Sequence, residues 1–483
     1  MSEHEQQQTS SDMSSRKIFE TSAGLTARLG RLSLPNRKLI ETPTFIVATS
    51  RGVVPHLTPD NLKKYSSVNA VYMGLEDFIE KKDSPVFQTP NGDARRLHSF
   101  TALPSEVITV LGPRRCPAVT TPVGNTVKTI SVFTSTGFRN VTVPEYASAI
   151  ESLQPDIVLP MADLPHTSTT PVSKKLVRMV EHTEVWMDEF FKQLSPKERL
   201  DNPGISVFAP VLPVEYPIQW DYLRYLSEDV REDISGLAVY STNIVPELIN
   251  YPSLIPLPKI SMDLPKTPHD VLRQIALGID ICTLPFVNNV SDSGVALTFS
   301  FPAWANKGVQ PLGINMWSPE HSTAVVPLAE GCQCYACTKH HRAYLQHLLN
   351  AKEMLGWNLL QIHNYNVINE FFKGIRESLS KGPEQFENDR QKFLAMYEPS
   401  LPEGTGARPR ARGYHFKSEA NQDKINQPSW TDLDKSGGAT PGESGTTVSP
   451  EGNGQGDTLI PNVDKEAIKA VVEDVLAGAL EDK

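Results

Sequence analysis

Between Ile18 and about Leu379 the chain alternates short apolar runs with helix-like segments, and this alternation restricts its fold more than any other feature. Six runs read as strands: Thr44 to Val47, Ala70 to Met73, Asp156 to Leu159, Ile205 to Phe208, Gly236 to Val239 and Ile279 to Ile281. Helical stretches fall between them, among them Pro59 to Tyr65, Val143 to Leu153, Lys174 to Gln193 and Pro268 to Gly278. Thr58-Pro59 and Thr267-Pro268 each place a capping residue before a proline at the first helical position. Strands separated by helices imply a parallel sheet, and this many units favour a (β/α)8 TIM barrel over a doubly wound sheet.

A chain of 483 residues fits two or three domains, or one large barrel with additions, and it can bury a core without disulfide staples. Residues 1–16 are polar, carry Glu3, Glu5 and Asp12, and lack an apolar signal core, so a disordered N-terminus and a cytoplasmic location are expected. No run of about 18 apolar residues predicts a membrane span. From about residue 400 to 460 the composition turns to Gly, Pro, Ser, Thr, Asn and Asp and predicts a disordered C-terminal linker. Residues 461–483 regain helical period through Ile468, Val471, Val472, Val475 and Leu476. Arg408, Arg410 and Arg412, followed by Tyr414, His415 and Phe416, read as a basic stretch of that linker.

The net charge of −10 excludes a uniformly cationic RNA-coating protein. It does not exclude a local basic groove. Eleven acids and four bases after Thr431 place −7 in the tail, which leaves the rest near neutral.

Of five cysteines, Cys332, Cys334 and Cys337 lie within six residues, whereas Cys116 and Cys282 are isolated and read as buried core thiols. In a chain without a secretion signal such a cluster points to metal rather than disulfide. His363, twenty-six residues beyond the last thiol, completes a Cys3His set. Zinc takes four such ligands in a closed tetrahedron, so one structural Zn2+ is expected, with no open position for substrate. His340 and His341 are rival ligands, and His363 is expected just before the second of two helices. Tyr344, Leu345, Leu348, Leu349 and Leu355 form one apolar stripe of that pair, and Val367, Ile368, Phe371, Phe372 and Ile375 the other.

The cysteine run, then Arg342-Ala343-Tyr344-Leu345, Glu353-Met354-Leu355-Gly356 and His363-Asn364, closely resembles the zinc subdomain of the tRNA-guanine transglycosylase family. Gly24 to Gly30, Thr42 to Phe45, Leu57 to Leu62, Gly236 to Val239 and Gly278-Ile279-Asp280 resemble earlier parts of it, so the likeness runs from about Ser22 to Leu379. It implies a barrel over residues 17–385 with a zinc subdomain at about 315–385, acting on the wobble guanine of tRNA. The family's chemistry needs an aspartate nucleophile and a second aspartate for proton transfer.

Here the chain departs from the pattern. Its Gly-x-Asp-x-Phe-Asp segment reads Gly278-Ile279-Asp280-Ile281-Cys282-Thr283, which puts Thr283 at the nucleophile. Asp280, three residues earlier, points to the opposite face of a strand. Asp-Ser-Gly-Gly-Phe-Gln is expected at Thr134-Ser135-Thr136-Gly137-Phe138-Arg139, and Pro-Thr-Arg at Val287-Asn288-Asn289. Ala162, Ala209-Pro210 and Tyr240-Ser241 replace base-recognising residues. The sequence thus resembles the accessory, non-catalytic branch of the family. That resemblance implies no catalytic residues here, a heterodimer with a catalytic queuine tRNA-ribosyltransferase subunit, tRNA as a shared partner, and at most peripheral contact with the mitochondrial outer membrane. The competing expectation is an enzyme acting alone through Asp280 or Asp163 in a shifted register.

Overall fold

The computed structural model describes residues 18–409, apart from 22–23, 81–82, 91–94, 122–123, 167–170, 195–203 and 304–307. The expected N-terminal disorder, the stretch from Arg410 to Phe416 and the terminal helix lie outside the described residues.

Three short strands open the fold. β1 (Phe19–Thr21), β2 (Gly30–Leu32) and β3 (Ile40–Thr42) form an antiparallel sheet. Eight parallel strands then close a barrel: β4 (Thr44–Ala48), β5 (Ala70–Gly74), β6 (Ile108–Gly112), β9 (Ile157–Val158), β10 (Ser206–Val211), β11 (Gly236–Val239), β12 (Lys259–Ser261) and β13 (Ile281–Thr283), with β13 pairing β4. Between β6 and β9 stands the hairpin β7 (Thr129–Thr134) and β8 (Gly137–Thr142).

All six expected strands belong to the barrel, and two more complete it. β12 escaped a search for apolar runs because Lys259 and Ser261 flank its one apolar residue, Ile260. All three are nevertheless buried. β6 carries a legible apolar run from Ile108 to Leu111.

Successive strand residues face opposite ways. Ile46, Ala48, Ala70, Tyr72, Ile108, Val110, Ile157, Leu159, Phe208, Ala238, Ile260 and Ile281 fill the barrel interior. Their neighbours, such as Val47, Val71, Val207, Leu237 and Cys282, pack outward beneath the helices. Phe19, Leu32, Leu34 and Ile40 from the opening sheet join the interior cluster, so that sheet plugs the N-terminal mouth.

Helices Pro59–Tyr65, Val143–Leu153, Ser173–Gln193 and Pro268–Ala276 fall where expected. Thr267 forms a capping box with Asp270, whereas Thr58 makes no side-chain cap bond. Cys116 and Cys282 are buried free thiols.

After the barrel come β14 (Val295–Leu297) paired with β15 (Gly313–Asn315), and helices Tyr335–Lys339, Arg342–Asn350, Met354–Ser380 and Pro383–Met396. A separate small core of Met316, Leu328, Cys334, Leu345, Leu349, Trp357 and Leu360 holds this subdomain together. Helix Met354–Ser380 also packs on the barrel, with Phe372 against Phe45 and Arg376 donating to the Pro43 carbonyl at 2.9 Å.

Three expectations need correction here. His363 does not precede a helix but lies in the middle of Met354–Ser380. Leu355 starts that helix and is exposed, so it is no part of the stripe on Arg342–Asn350. The linker also begins later than residue 400. Gly404 and Gly406 lie against Ser293 and Trp317, so closely that a Cβ at either would overlap them, and Thr405 accepts a 3.0 Å bond from Asn315. Among the described residues no helix is long and apolar enough to cross a membrane.

Candidate metal centre and barrel mouth

Cys332 and Cys334 stand just before helix Tyr335–Lys339 and Cys337 within it, while His363 reaches them from the long helix. Its Nδ1 lies 3.7, 3.5 and 3.4 Å from the three sulfurs. All four ligand atoms fall within 4.8 Å of one another, and they are the only such cluster among the described residues. The set could hold one metal ion.

Its surroundings are built for that purpose. The other imidazole nitrogen, Nε2, donates to the Leu297 carbonyl at 2.8 Å, which fixes the tautomer that turns the Nδ1 lone pair toward the sulfurs. Asn364, the next residue, accepts from the Leu297 amide at 2.9 Å and donates to Ser291 and to the Val295 carbonyl. The ligand helix is thereby locked to β14. Asn366 donates to the Cys332 sulfur at 3.5 Å, and the Cys337 amide to the Cys334 sulfur at 3.4 Å.

The rival histidines are engaged elsewhere. His341 caps helix Arg342–Asn350 by accepting from the Tyr344 amide, and His340 stacks on Tyr344.

At the C-terminal mouth, where barrel enzymes carry their chemistry, Thr283 ends β13 in register with inward-facing Ile281. It is fully buried, and its hydroxyl donates to the Met262 sulfur at 3.7 Å. No carboxylate or imidazole lies within hydrogen-bond reach of it among the described residues. Tyr240 and Met262 pack onto the interior cluster, and with Tyr72 and Ala162 they wall a cavity of only about 80 Å³. Pockets for drug-sized ligands start near ~300 Å³.

The stretch Thr134 to Arg139, expected to stand for a proton-transfer motif, is the turn of the β7–β8 hairpin. Ser135 and Thr136 bond Glu80 there, and none of the stretch lines the mouth cavity. Segments that do leave barrel strands into the cavity include Pro113 to Cys116 after β6, Ala162 to His166 after β9, Tyr240 after β11 and Met262 after β12. Sequence reasoning missed Arg114 and His166 of that cavity, because neither belongs to a recognisable spacing. Asn288, in the stretch expected to match Pro-Thr-Arg, is buried and bonded to the Ala48 carbonyl, Gln361 and Tyr365.

Asp280 is spoken for. It accepts from Arg28 Nε at 2.9 Å and Nη2 at 2.8 Å, and from the Lys259 amide at 2.9 Å. Both Arg28 and Asp280 are buried before the start of β13, outside the interior face on which Thr283 stands. Gly278, with φ +102°, lets the chain pass the Leu25 carbonyl where a Cβ would come within 1.9 Å, and this close approach seats the Arg28 loop. Asp163 accepts from Asn125 and His182, both at 2.8 Å.

A (β/α)8 barrel with an appended Cys3His subdomain thus defines the class of protein. A family model described as queuine tRNA-ribosyltransferase matches residues 23–399. A Schizosaccharomyces pombe protein named queuine tRNA-ribosyltransferase accessory subunit 2 is 34% identical over 86% of this chain and 92% of its own length. Proteins of that name from Culex quinquefasciatus and Ixodes scapularis are each 28% identical, over 75% and 74% of this chain and 88% and 96% of theirs. The chain belongs to the queuine tRNA-ribosyltransferase family.

Proposed function

We propose that this chain is the non-catalytic subunit of a queuine tRNA-ribosyltransferase complex, which exchanges guanine for queuine at the wobble position of tRNAs for Tyr, His, Asp and Asn. The observation that carries this reading is the mouth itself. Thr283 holds the place of the nucleophile with no base beside it, and a hydroxyl without a base is a poor nucleophile near neutral pH. Tyr72, Tyr240 and Met262 wall the mouth down to a cavity of about 80 Å³. A catalytic subunit supplies both aspartates, and this chain supplies partner surface and tRNA-backbone contacts from a cytoplasmic complex that touches the mitochondrial surface only peripherally.

The metal is one structural zinc ion held by Cys332, Cys334, Cys337 and His363. With Zn–S near ~2.3 Å and Zn–N near ~2.05 Å, a tetrahedral ion needs sulfur–nitrogen edges of about 3.6 Å. The observed 3.4–3.7 Å supports that assignment. Bound there, the ion ties the cysteine turn to the long helix.

This subdomain also carries the partner face. His340 lies between Tyr335 and Tyr344 at ring distances of 5.6 and 5.2 Å, all three half-buried, while Val325, Val326, Met354 and Leu355 are exposed. Exposed apolar groups beside aromatics are what the centre of a protein interface presents.

The test is base exchange into tRNA with labelled guanine or queuine, using the purified chain alone, the catalytic subunit alone and the mixture. Exchange is expected only when the catalytic subunit is present and at full rate only in the mixture. Exchange by this chain alone overturns the proposal.

A further inference from the structure

The mouth cavity is too small for a base, yet its lining is not that of an inert void. Arg114 is buried at 7% exposure, lines the cavity, and forms no ion pair among the described residues. Its guanidinium donates to the Leu164 carbonyl at 3.2 Å and to Asn125 Oδ1 at 2.7 Å, two neutral acceptors for a group with five N–H donors. A buried cation with only neutral partners is costly.

None of the residues lining the cavity is acidic. The nearest carboxylates are engaged: Glu76 bonds Arg115 at 2.7 Å with Asp77 beside it at 3.6 Å, and Asp163 is held by Asn125 and His182. Tyr240 and His166 stand on the polar part of the wall, together with Tyr72 and with Arg115, whose guanidinium is paired with Glu76. Burial and then the charge of Arg114 press His166 down to about 3, so its imidazole is neutral and offers one N–H. At about 80 Å³ the cavity exceeds the ~10–15 Å³ that a single water needs and lies far below the ~300 Å³ of pockets for drug-sized ligands, a size that suits a few waters or one five-atom ion.

We propose that the mouth cavity binds a small tetrahedral oxyanion, inorganic phosphate in the first instance, with Arg114 as its anchor and Tyr240 and His166 as further donors. The ligand is the free ion rather than the phosphate of a nucleotide, because the cavity has no room for the attached sugar and base. The site does not depend on the chain's role in a complex. It would leave the chain a ligand-sensing pocket where catalytic relatives work on a base.

The experiment is thermal unfolding of the full chain titrated with phosphate, with chloride as the control at matched ionic strength, and phosphorus NMR line width as a direct readout of binding. A saturable rise in the unfolding midpoint and broadened phosphate signal are expected for the wild type, with neither in Arg114→Met. Because Arg114→Met can fail to fold, Ala162→Leu serves as a second variant that fills the cavity and keeps the charge. It too should lose the response. GMP at equal concentration should act no more strongly than phosphate. A phosphate effect no larger than that of chloride, an undiminished effect in Ala162→Leu, or a much stronger effect of GMP would each overturn the site.

Discussion

Replacing Asp280 by Asn separates a structural carboxylate from a catalytic one. In the folded chain Asp280 takes two hydrogen bonds from Arg28 and one from the Lys259 amide, and both Asp280 and Arg28 are withdrawn from water. Asparagine keeps one acceptor oxygen but turns an NH2 group toward a guanidinium that can only donate. Arg28 is then a buried cation whose remaining acceptors are the carbonyls of Gly24, Ile255 and Leu257. Removing one partner of a buried pair costs about 3–5 kcal/mol, a large share of the ~5–15 kcal/mol that holds a typical domain folded. At roughly 1–3 kcal/mol per molar urea, the midpoint should fall by about 1 M or more. Base exchange by the complex, normalised to folded chain, should be unchanged. Substituting both partners, as in Arg28→Met with Asp280→Leu, should recover part of the loss, since no charge is then left unpaired. An unchanged urea midpoint in Asp280→Asn refutes the structural account. A variant that is as stable as the wild type but abolishes exchange makes Asp280 catalytic instead.

Other consequences can be checked on the same material. Cys334→Ser should lower bound zinc well below one ion per chain by elemental analysis and reduce co-elution with the catalytic subunit; a metal-free variant that stays folded and supports full exchange would sink the bracing role. Leu355→Asp, on the exposed start of the long helix, should weaken association with the catalytic subunit at least tenfold in sedimentation while leaving the unfolding midpoint of the isolated chain in place. Lys259 is lowered from 10.5 to about 8, burial being the main cause and Arg28 adding to it against the opposing pull of Asp280. Between those pH values the unfolded chain binds this proton and the folded chain does not. The Lys259 contribution to stability therefore rises from about pH 8 to about pH 10.5 and is constant below that window. The difference in unfolding free energy between wild type and Lys259→Met, in which other titrations cancel, should change by roughly 3 kcal/mol across the window; a flat difference contradicts the assignment.

The barrel and the metal centre were legible in the sequence for different reasons. The barrel could be read because repeated βα units leave short apolar strands between longer amphipathic segments. Reading failed where a strand is polar by composition, as in β12, because the Lys259 ammonium is buried on the backbone carbonyls of Ile255 and Leu257 and its amide on Asp280, and backbone acceptors carry no residue-type signal. The four candidate metal ligands were legible because three thiols at short spacing, with an imidazole in reach, have few other uses. Their supporting shell was not, since the Leu297 carbonyl that orients His363 is a backbone atom with no residue-type signal. The position of His363 within its helix was not legible: the helix begins at Met354 and runs through Gly356. In the structure Gly356 is simply where the helix packs against Leu348 and Leu349. The mouth was half legible. Thr283 and Ala162 could be placed by register, whereas Arg114 lies in an irregular segment whose course only the fold determines.

The pattern of what is kept and what is lost carries its own argument. Around His363 the supporting bonds are extensive: the second imidazole nitrogen, the adjacent asparagine and the sulfurs of Cys332 and Cys334 all have partners. At the mouth, by contrast, large side chains fill the volume instead of leaving a damaged pocket. Tyr72 donates to the Arg114 carbonyl at 2.6 Å, and Tyr240 and Met262 pack on the barrel interior, so these side chains leave only the cavity of about 80 Å³. A site that had merely lost a nucleophile would keep its cavity, and restoring one carboxylate could restore chemistry. Here a carboxylate at Thr283 would enter a buried, close-packed wall beside the Met262 sulfur, where a charge is disfavoured and no base has room to bind. The Cys3His subdomain and the packed mouth therefore fit the proposed role, in which this barrel serves through the surfaces it presents and a catalytic partner carries the chemistry.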